Sequence, residues 1–421
     1  MRAAVIGMGY VGLPLAVELA RAGIEVVGID VMKEKVDILN EGKSYIGDVE
    51  SETVAQLVRE KKLSATTDFS VLKNTDVVCI CVPTPLRKTK DPDISYILAA
   101  VEEVAKYIHK GQLIILESTT YPGTTDECVL PRLEQSGLKV GKDFFLVFSP
   151  ERVDPGNPIY KTKNTPKIVG GITPACTKHA VDFYGKAFDK VMPVSSSKCA
   201  EMAKLLENTF RSVNIGMVNE IALMCNKLGL DVWEVIDAAA TKPFGFMPFY
   251  PGPGLGGHCI PIDPHYLSWK LKALNYYAKF IEIAGEINSK MPEFVMDKLT
   301  LALNNLGKPI KGSKILILGV AYKKDVSDLR ESPALDVMNL LIKRGAKVSY
   351  NDPYIPEIQE GGHHLKSVKL SPQTISAADC VIIITNHTCF DYKKICDSAS
   401  LVFDTRNATR NVKTKTKIIK I

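Results

Sequence analysis

One local plan of strand, glycine, helix and strand occurs twice in this chain. The first copy runs from Ala3-Ala4-Val5-Ile6-Gly7 through a helix-like stretch to Asp30, and the second runs from Ile315-Leu316-Ile317-Leu318-Gly319 to Asp352. Short apolar runs follow each copy, at residues 76–82, 113–117, 145–148, 379–385 and 401–403. Apolar runs of this length that alternate with helical patterns are typical of parallel strands covered on both faces. The repeat therefore predicts an α/β protein with two Rossmann-like, doubly wound lobes.

A segment of different character separates the two copies. Residues 195–305 have helical periodicity and few strand signals, and residues 198–228 form one long helical pattern. Several large side chains lie on apolar faces of this pattern, namely Met202, Leu205, Leu206, Val213 and Met217. We expect this central helix to join the two lobes and, because it is apolar on more than one face, to carry a dimer contact.

These patterns predict three domains. They are a Rossmann-like domain at 1–195, a central helical connector and dimerisation domain at 196–305, and a C-terminal α/β domain at 306–421. The lysine-rich tail at 413–421 is expected to be frayed and solvated.

Composition excludes several classes of protein. Hydrophobic residues are 46% and charged residues 24% of the 421, which rules out disorder, collagen and coiled coil as the main architecture. No apolar run approaches the ~20 residues of a membrane-spanning helix, and the first residues enter a strand directly, so we expect a cytoplasmic protein without a signal peptide. A net charge of +6 without a dense basic stripe favours a small anionic ligand over nucleic acid.

Cysteine and histidine show no metal-ligand spacing. The ten cysteines are scattered without a CxxC pair, which favours free thiols in a reducing compartment and predicts no zinc site. His363 and His364 adjoin one another, and we expect them in a surface loop.

The first glycine turn has the spacing Gly7-x-Gly9-x-x-Gly12, between a strand and a helix, and Asp30 ends the next strand. Glycines permit a tight turn and the approach of a pyrophosphate to the helix N-terminus, and an acidic residue at this distance accepts hydrogen bonds from ribose hydroxyls. A glycine turn that only packs helix on strand is the alternative. Because Asp30 would repel a 2′-phosphate, the motif predicts NAD rather than NADP.

A glycine-rich segment at residues 252–264 contains a lone cysteine, Cys259, followed by Asp263. The glycines predict a flexible loop that lays backbone N–H groups along a ligand and delivers a thiol to it. An inert buried cysteine is the alternative. A thiol used together with NAD fits aldehyde oxidation, because a thiohemiacetal that loses hydride becomes a thioester that water hydrolyses.

Six motifs occur in order along the chain: Gly7-x-Gly9-x-x-Gly12, Ser118-Thr119-Thr120-Tyr121-Pro122-Gly123-Thr124, Ser149-Pro150-Glu151-Arg152, Ala200-Glu201-x-x-Lys204-x-x-x-Asn208, Gly256-Gly257-His258-Cys259 and Asp328-Leu329-Arg330-Glu331-Ser332-Pro333-Ala334. Their combination resembles the UDP-glucose/UDP-mannosaminuronate dehydrogenase family over essentially the whole chain. The resemblance implies an enzyme that oxidises the C6 alcohol of a nucleotide sugar to the carboxylate, passes two hydrides to two NAD molecules and does not release the aldehyde.

The resemblance also implies catalytic roles. Cys259 is the expected nucleophile, and Glu151 is the expected base that activates water, with a turn-capping role as its alternative. Lys204 and Asn208, one helical turn apart, are expected to stabilise the developing oxyanion, and a solvated helix face is their alternative. Two further residues are expected to hold the catalytic water and assist proton removal, or to have a structural hydrogen-bonding role, namely Asp263 and Thr119.

Binding residues follow from the same resemblance. The expected cofactor contacts are Gly7, Gly9, Tyr10, Val11, Gly12, Asp30, Lys35, Thr84, Thr119 and Arg330. The guanidinium of Arg330 suits a pyrophosphate, and a surface charge is its alternative. The expected UDP-sugar contacts are Glu151, Arg152, Lys204, Asn208, Tyr250, Gly254, Gly256, Lys323 and Arg406. The second lobe keeps only Gly319 of the glycine fingerprint, so we expect it to have lost dinucleotide binding and kept nucleotide binding.

The sugar is predicted from departures within the family pattern. His258 precedes the cysteine, and Pro243 follows Lys242 where the UDP-glucose branch commonly has an arginine. Residues 249–264 and the loop Ser149-Pro150-Glu151-Arg152-Val153-Asp154-Pro155-Gly156 resemble the UDP-N-acetylhexosamine branch, and UDP-N-acetylglucosamine is the preferred substrate. UDP-N-acetylmannosamine is the alternative, and UDP-glucose is a more distant one.

Two other classes of function stay open on the residues alone. A single-hydride β-hydroxyacid dehydrogenase shares the N-terminal fold but does not need Cys259 or the second lobe. A catalytically silent NAD- or nucleotide-sensing protein is disfavoured because Cys259, Lys204, Asn208 and Glu151 are each expendable for binding alone. The expected partners are the UDP-sugar and a second copy of the chain, in a homodimer or a higher homo-oligomer, with no nucleic acid and no membrane.

Overall fold

The computed structural model describes residues 1–87, 91–154, 156–360 and 362–421. The described residues divide into two compact units, the first comprising 1–207 with 265–277 and the second comprising 208–264 with 278–421. Each unit contains one of the two predicted lobes.

The first unit is built on a sheet of mostly parallel strands. They are β1 (Arg2–Ile6), β2 (Glu25–Ile29), β3 (Leu63–Thr66), β4 (Val77–Ile80), β5 (Leu113–Leu116), β6 (Phe145–Phe148), β7 (Lys167–Gly171) and β8 (Val191–Pro193). Over the described residues the strand order is β3-β2-β1-β4-β5-β6-β7-β8, and every neighbouring pair is parallel except β6 with β7. The order reverses between β1 and β4, which is where open α/β sheets bind ligands at their carboxyl ends.

Helices cover both faces of this sheet. They are α1 (Gly12–Arg21), α2 (Lys33–Asn40), α3 (Ser51–Arg59), α4 (Ser95–Tyr107), α5 (Leu130–Glu134) and α6 (Pro174–Tyr184). Leu13 and Leu19 of α1 pack with Val5 on one face, and Ile97 and Val101 of α4 belong to the apolar cluster of the other face. A sheet buried on both sides explains why its strands read as continuous apolar runs.

The second unit contains a smaller parallel sheet and a hairpin. Its strands are β9 (Lys314–Leu318), β10 (Lys347–Asn351), β11 (Glu357–Glu360), β12 (His363–Lys366), β13 (Cys380–Ile383), β14 (Leu401–Asp404) and β15 (Lys417–Lys420). The sheet has the order β10-β9-β13-β14-β15 with parallel pairs throughout the described strands, and β11 pairs antiparallel with β12. The helices are α8 (Val232–Ala240), α10 (Lys279–Asn304), α11 (Pro333–Lys343), α12 (Pro372–Ser376) and α13 (Tyr392–Ser398).

Two helices contribute residues to both units. Helix α7 (Ser197–Leu228) passes from the first unit to the second after Glu207, and α9 (Asp263–Lys272) belongs to the first unit from His265 onward. Within the second unit, α7 lies close to α10 at Gly216, where a Cβ atom would be 2.9 Å from the Cβ of Ala284. A glycine at this position therefore permits the two helix backbones to approach.

The predicted α/β architecture, with two Rossmann-like lobes and a long central helix, is confirmed by these elements. The tail at 413–421 is not frayed as we expected, because β15 pairs with the edge of β14 and Ile421 is buried. The pair His363-His364 begins β12 rather than lying in a loop. Among the described residues, no helix is long and apolar enough to cross a membrane.

Candidate active site

The three glycines of the first turn have different surroundings. Gly7 has φ +88°, and a Cβ there would lie 2.7 Å from the Cys81 carbonyl oxygen, while a Cβ at Gly12 would lie 1.9 Å from the Gly7 carbonyl oxygen. These two glycines are required by packing. Gly9 is different, because a Cβ there would meet nothing within 4 Å. Gly9 therefore borders open space beside the N-terminus of α1, whose first backbone N–H groups suit an anion such as a pyrophosphate.

Asp30, at the end of β2, is held by backbone N–H groups. Met8 N–H donates to its Oδ2 at 3.0 Å, and Met32 N–H donates to its Oδ1 at 2.9 Å. Lys35 Nζ lies 3.5 Å from Oδ2, so the carboxylate has a fixed orientation and one nearby cation. The predicted cofactor residues Tyr10 and Val11 are exposed and half-buried, respectively, in the same turn. The described residues of this crevice thus have the groups that NAD binding needs.

Two predicted threonines follow neighbouring strands of the same sheet. Thr84 is buried after β4, and its carbonyl oxygen accepts a hydrogen bond of 2.8 Å from the Tyr266 hydroxyl of α9. Thr119 is half-buried after β5, and the adjacent Ser118 hydroxyl donates to the Val82 carbonyl oxygen at 2.8 Å. The carboxyl ends of β4 and β5 therefore place both threonines at the edge of the sheet where the glycine turn lies.

Glu151 follows β6 at this edge and is fixed through both of its oxygens. Its Oε1 accepts the N–H groups of Arg152 at 2.7 Å and Val153 at 2.9 Å, and Lys167 Nζ lies 3.4 Å from its Oε2. Lys204 Nζ donates to the Glu151 carbonyl oxygen at 2.7 Å. The structure thus brings the predicted base and the predicted lysine together within the first unit.

The charge of Glu151 follows from these contacts. Burial alone would raise its pKa, but the Lys167 ammonium, the two backbone N–H groups and Lys204 together hold the pKa of Glu151 below its ordinary value. The side chain is therefore a carboxylate at neutral pH, as a base requires.

Arg152 joins the loop that contains Glu151 to helix α7. Its guanidinium makes a two-pronged ion pair with Glu207 of α7, at 3.1 and 2.5 Å, and Nη1 donates to the Pro166 carbonyl oxygen at 2.8 Å. These bonds occupy Nε, Nη1 and Nη2 and fix the Glu151 loop to α7. The substrate role of Arg152 stays a prediction, and Pro155 of the same loop lies outside the described residues.

Sequence reasoning missed two buried charges behind Glu151. Lys167, the first residue of β7, lies 2.5 Å from Glu117 Oε2, and the Tyr184 hydroxyl also bonds to Glu117. The side chains of Lys167 and Glu117 are 4% and 0% exposed. Glu117 ends the apolar run of β5, and a charge at the end of a buried strand is the signal that could have identified it.

Glu201 belongs to a quoted motif but had no assigned role. It is fully buried on α7 and accepts the N–H of Gly123 at 2.6 Å and the N–H and hydroxyl of Thr125 at 2.9 and 2.7 Å. Burial raises the pKa of Glu201, and the bonds from Thr125 and Gly123 oppose this. The residue ties the helix that bears Lys204 to the turn that follows Thr119.

The second unit contains the predicted nucleophile and two of its predicted helpers. Asn208 Nδ2 donates to Asp263 Oδ2 at 2.6 Å, and the Asp263 N–H donates to the Cys259 carbonyl oxygen at 2.8 Å. Asp263 is buried, whereas Cys259 is exposed. Asn208 and Asp263 are thus brought together, and Asp263 closes the turn that presents the thiol.

The glycines before Cys259 are explained by packing inside the second unit. A Cβ at Gly256 would lie 2.9 Å from the Tyr322 Cβ, and one at Gly257, where φ is +86°, would lie 2.7 Å from the Tyr322 ring. The Gly257 N–H donates to the Arg330 carbonyl oxygen at 3.1 Å, and Gly254 has φ +139°. The segment is therefore a tightly packed loop rather than the flexible one we expected. Its hydrogen bond to Arg330 is made by Gly257, two residues before Cys259.

A cavity of about 540 Å³ lies in the second unit. Tyr250 and Arg406 of the predicted substrate residues line it, together with Lys324 rather than Lys323. Tyr250 stacks on Trp233 with 5.8 Å between ring centroids, and burial lowers the pKa of Arg406 to about 10 against the opposing effect of Asp404. A cavity with stacked rings at one wall and three cationic side chains in its lining, Lys324, Arg406 and Arg410, suits a base joined to phosphates.

The second lobe repeats the first at its glycine and its aspartate. Gly319 has φ +75°, and a Cβ there would lie 2.2 Å from the Thr385 carbonyl oxygen, as Gly7 lies against Cys81. Asp352 Oδ2 accepts the N–H groups of Val320 and Ala321 at 2.7 and 2.9 Å.

A buried histidine completes the surroundings of this aspartate. His387 Nδ1 accepts the Asp325 N–H, so its Nε2 carries the proton and donates to Asp352 Oδ2 at 3.0 Å. The Oδ1 atom accepts the N–H groups of Tyr354 and Ile355. Asp352 is therefore fully engaged inside the lobe. Among the described residues no group of three histidine, cysteine or acidic side chains is arranged to hold a metal ion.

Comparison with known families gives three matches along the chain. The models of the UDP-glucose/GDP-mannose dehydrogenase family match residues 1–188 as the NAD binding domain, 198–290 as the central domain and 316–411 as the UDP binding domain.

Individual relatives match nearly the whole length of the chain. The UDP-N-acetyl-D-glucosamine 6-dehydrogenase of Pseudomonas aeruginosa is 34% identical over 392 residues, which are 93% of this chain and 91% of that protein. The UDP-N-acetyl-D-mannosamine dehydrogenase of Campylobacter jejuni is 36% identical over 396 residues, which are 91% of this chain and 94% of that protein. The solved structure of the UDP-D-ManNAc dehydrogenase of Pyrococcus horikoshii has a TM-score of 0.91 at 33% identity and covers 100% of this chain and 99% of that one.

Proposed function

The chain belongs to the UDP-glucose/GDP-mannose dehydrogenase family and is an NAD-dependent UDP-sugar dehydrogenase, and on that premise we propose that it oxidises the C6 alcohol of UDP-N-acetylglucosamine to the carboxylate. The observation that carries the proposal is the segment at 252–264, in which an exposed Cys259 follows His258 on a tightly packed loop. The product, UDP-N-acetylglucosaminuronate, serves polysaccharide or glycan assembly.

NAD is held by the crevice of the first unit. The open space at Gly9 and the N-terminus of α1 take the pyrophosphate, Asp30 takes the ribose hydroxyls, and Thr84 and Thr119 lie along the same sheet edge. When bound, NAD supplies one chemical function, the acceptance of a hydride from C6 in each of two oxidations. Arg330 is proposed as a further cofactor contact.

The first oxidation converts the alcohol to an aldehyde, and the protein's part is to manage charge and a proton. Lys204 donates hydrogen bonds to the developing oxyanion, and Asn208, held by Asp263, donates through its amide. Asp263 with Thr119 orders the water through which the hydroxyl proton departs.

Cys259 then divides the second oxidation into two easier steps. Its thiolate forms a C–S bond to the aldehyde carbon, and the resulting thiohemiacetal loses a hydride to become a thioester. Glu151 removes a proton from water, the oxygen of that water bonds to the thioester carbon, the C–S bond breaks, and Cys259 leaves as a thiolate. Two hydrides leave the sugar, and water supplies the new oxygen.

The proposed sugar is inferred from the sequence pattern around Cys259 and not from a contact between the protein and the sugar. His258 and the residue pattern of 249–264 favour an N-acetylhexosamine, with UDP-N-acetylglucosamine preferred. UDP-N-acetylmannosamine is the second candidate, because relatives of that name match the chain at a similar identity. UDP-glucose is a less favoured third candidate.

The first experiment measures NADH formed per UDP-N-acetylglucosamine consumed, for the wild type and for Cys259→Ala, with UDP-N-acetylmannosamine and UDP-glucose in parallel. We expect a ratio near two that collapses in the variant, because the thioester route needs the thiol. A ratio near one that is indifferent to Cys259 would contradict the mechanism and indicate a single-hydride enzyme. The sugar with the highest kcat/KM identifies the substrate, and a preference for UDP-glucose would overturn the proposed branch.

We also propose a homodimer or higher homo-oligomer in the cytoplasm. Exposed apolar side chains recur along α7, including Phe210, Met217 and Met224, and such a stripe is typical of a subunit contact. None of the cysteines in the described residues forms a disulfide, which suits a reducing compartment.

A further inference from the structure

Three ionisable side chains form a buried row behind the edge of the first sheet. Lys167 Nζ stands between Glu117 Oε2, at 2.5 Å, and Glu151 Oε2, at 3.4 Å. The side chains of Glu117 and Lys167 are almost completely buried, whereas that of Glu151 is 14% exposed. The row therefore leads from the interior to the residue that we propose as the base.

Such a row is not explained by stability. Removing two charges from water costs several kcal/mol per ion, and apolar side chains of similar volume often replace a buried pair without loss. The cluster is also rigid, because the Lys167 ammonium lies 5.4 Å from the ring centres of Tyr184 and of Phe188, and Tyr184 bonds to Glu117. A costly and rigid charge with one partner at the active-site edge points to a role in that site.

We propose that Lys167 is a positioning residue for Glu151, held in place by Glu117 and Tyr184, and that its ammonium keeps the Glu151 carboxylate ionised and aimed at the water that hydrolyses the thioester. This inference rests on the proposed function. Oε1 is already fixed by the Arg152 and Val153 N–H groups, so Lys167 determines the setting of Oε2.

The other groups that face the row are few and are themselves buried or engaged. Lys204 of α7 binds the Glu151 carbonyl oxygen, and Tyr184 of α6 faces Glu117. On β4 and its end, burial raises the pKa of the thiols of Cys79 and Cys81, so both stay neutral. Beyond the loop, Arg152 and Glu207 neutralise each other. Lys167, although paired with Glu117, is therefore the cation that lies directly beside Oε2, at 3.4 Å.

The direction of the effect follows from these charges. Glu151 accepts a proton from water only as a carboxylate, so hydrolysis slows as the pH falls through its pKa. Lys167 favours the carboxylate, and Glu117 opposes it. Removing Lys167 and Glu117 together should therefore move the acid limb of the rate to higher pH, whereas removing only the charge of Glu117 should move it to lower pH.

The test compares Lys167→Met combined with Glu117→Gln against Glu117→Gln alone. The decay of the acyl adduct on Cys259 is followed by rapid quenching and intact mass across pH, with folding checked by thermal melting and NAD binding. In the double variant we expect the acid limb of the rate profile to move to higher pH by about one unit or more, which is about a tenfold loss of rate at a given pH on that limb. In the single variant we expect the limb to move to lower pH. Lys163→Met is the matched control, because it breaks an exposed ion pair with Asp189 in the same segment, and its limb should coincide with the wild type.

Two outcomes would overturn the inference. Acid limbs that coincide in the wild type and in a folded double variant would make Lys167 structural only, and so would shifts of the same sign in both variants. If the wild type oxidises no UDP-sugar, the proposed function fails separately. The titration of the ¹³C-labelled Glu151 carboxyl, identified by the signal lost in Glu151→Gln, then gives the same comparison without turnover, and a titration unmoved by the double variant contradicts the proposal.

Discussion

At the scale of single residues, the glycine turn separates folding from binding. Gly7 needs a left-handed backbone and touches Cys81, whereas Gly9 faces open space. We predict that Gly7→Ala lowers stability by about 1–3 kcal/mol, because it adds strain and a clash. Gly9→Ala should keep the melting temperature and weaken NAD binding about tenfold or more, because its methyl group enters the space of the pyrophosphate. Thermal melting and NAD titration measure the two effects.

The two variants serve as controls for each other. Equal losses of stability would show that Gly9 is also a packing residue, and unchanged NAD affinity in Gly9→Ala would remove the pyrophosphate from this position.

Sequence patterns identified exposed or motif-borne residues better than buried ones. Asp30 and Gly9 were predicted because their spacing from a strand end carries the information. Lys167 and Glu117 were not, because a buried ion pair joins residues 50 positions apart that share no local pattern. The packing of Gly256 against Tyr322 was missed for the same reason.

At the scale of elements, α7 is joined to the loop before Cys259 by a buried amide. Asn219 Oδ1 accepts the Gly252 N–H at 3.0 Å, and its Nδ2 donates to Asn288 Oδ1 of α10 at 2.8 Å. We predict that Asn219→Leu destabilises the protein by about 2–5 kcal/mol, because two buried polar groups lose their partners. Denaturant unfolding measures this loss.

Asn214→Ala is the control for that substitution. The Asn214 side chain bonds to the Phe210 carbonyl oxygen of its own helix, so its loss should change the free energy of unfolding by about 0.5 kcal/mol or less. If both variants unfold alike, the amide does not join the elements.

Element bounds were predictable where periodicity was long. The helix predicted at 198–228 is observed as Ser197–Leu228, because a single period that persists over such a long segment leaves little freedom in its placement. Six strands were missed, because each is short, lies at an edge or contains lysine or proline, namely β3, β7, β8, β11, β12 and β15. Apart from the hairpin of β11 with β12, their pairing is decided by neighbours far along the chain.

At the scale of the whole molecule, the apolar stripe of α7 predicts self-association. Phe210, Met217 and Met224 recur every seven residues and are 45–48% exposed. We predict a native mass of twice 46.2 kDa or a higher multiple, and a reduced mass for Met217→Lys, because a charge would be buried in the contact. Light scattering after gel filtration measures both.

Asn226→Lys is the matched substitution, because it adds the same charge at an exposed position on another side of α7. It should leave the mass unchanged. A wild type of 46.2 kDa at all concentrations would contradict the proposed dimer.

The engagement of Asp352 bears on the descent of the molecule. A carboxylate offers about four lone-pair positions, and Asp352 already receives five donors, from Val320, Ala321, Tyr354, Ile355 and His387. If the two lobes arose by duplication of one ancestor, the hydrogen bond from His387 to Asp352 made the loss of ribose binding in the second lobe hard to reverse. Reintroducing glycines after Gly319 would then not recreate a dinucleotide site, because the Asp352 carboxylate has no lone pair left to accept hydrogen bonds from the ribose hydroxyls.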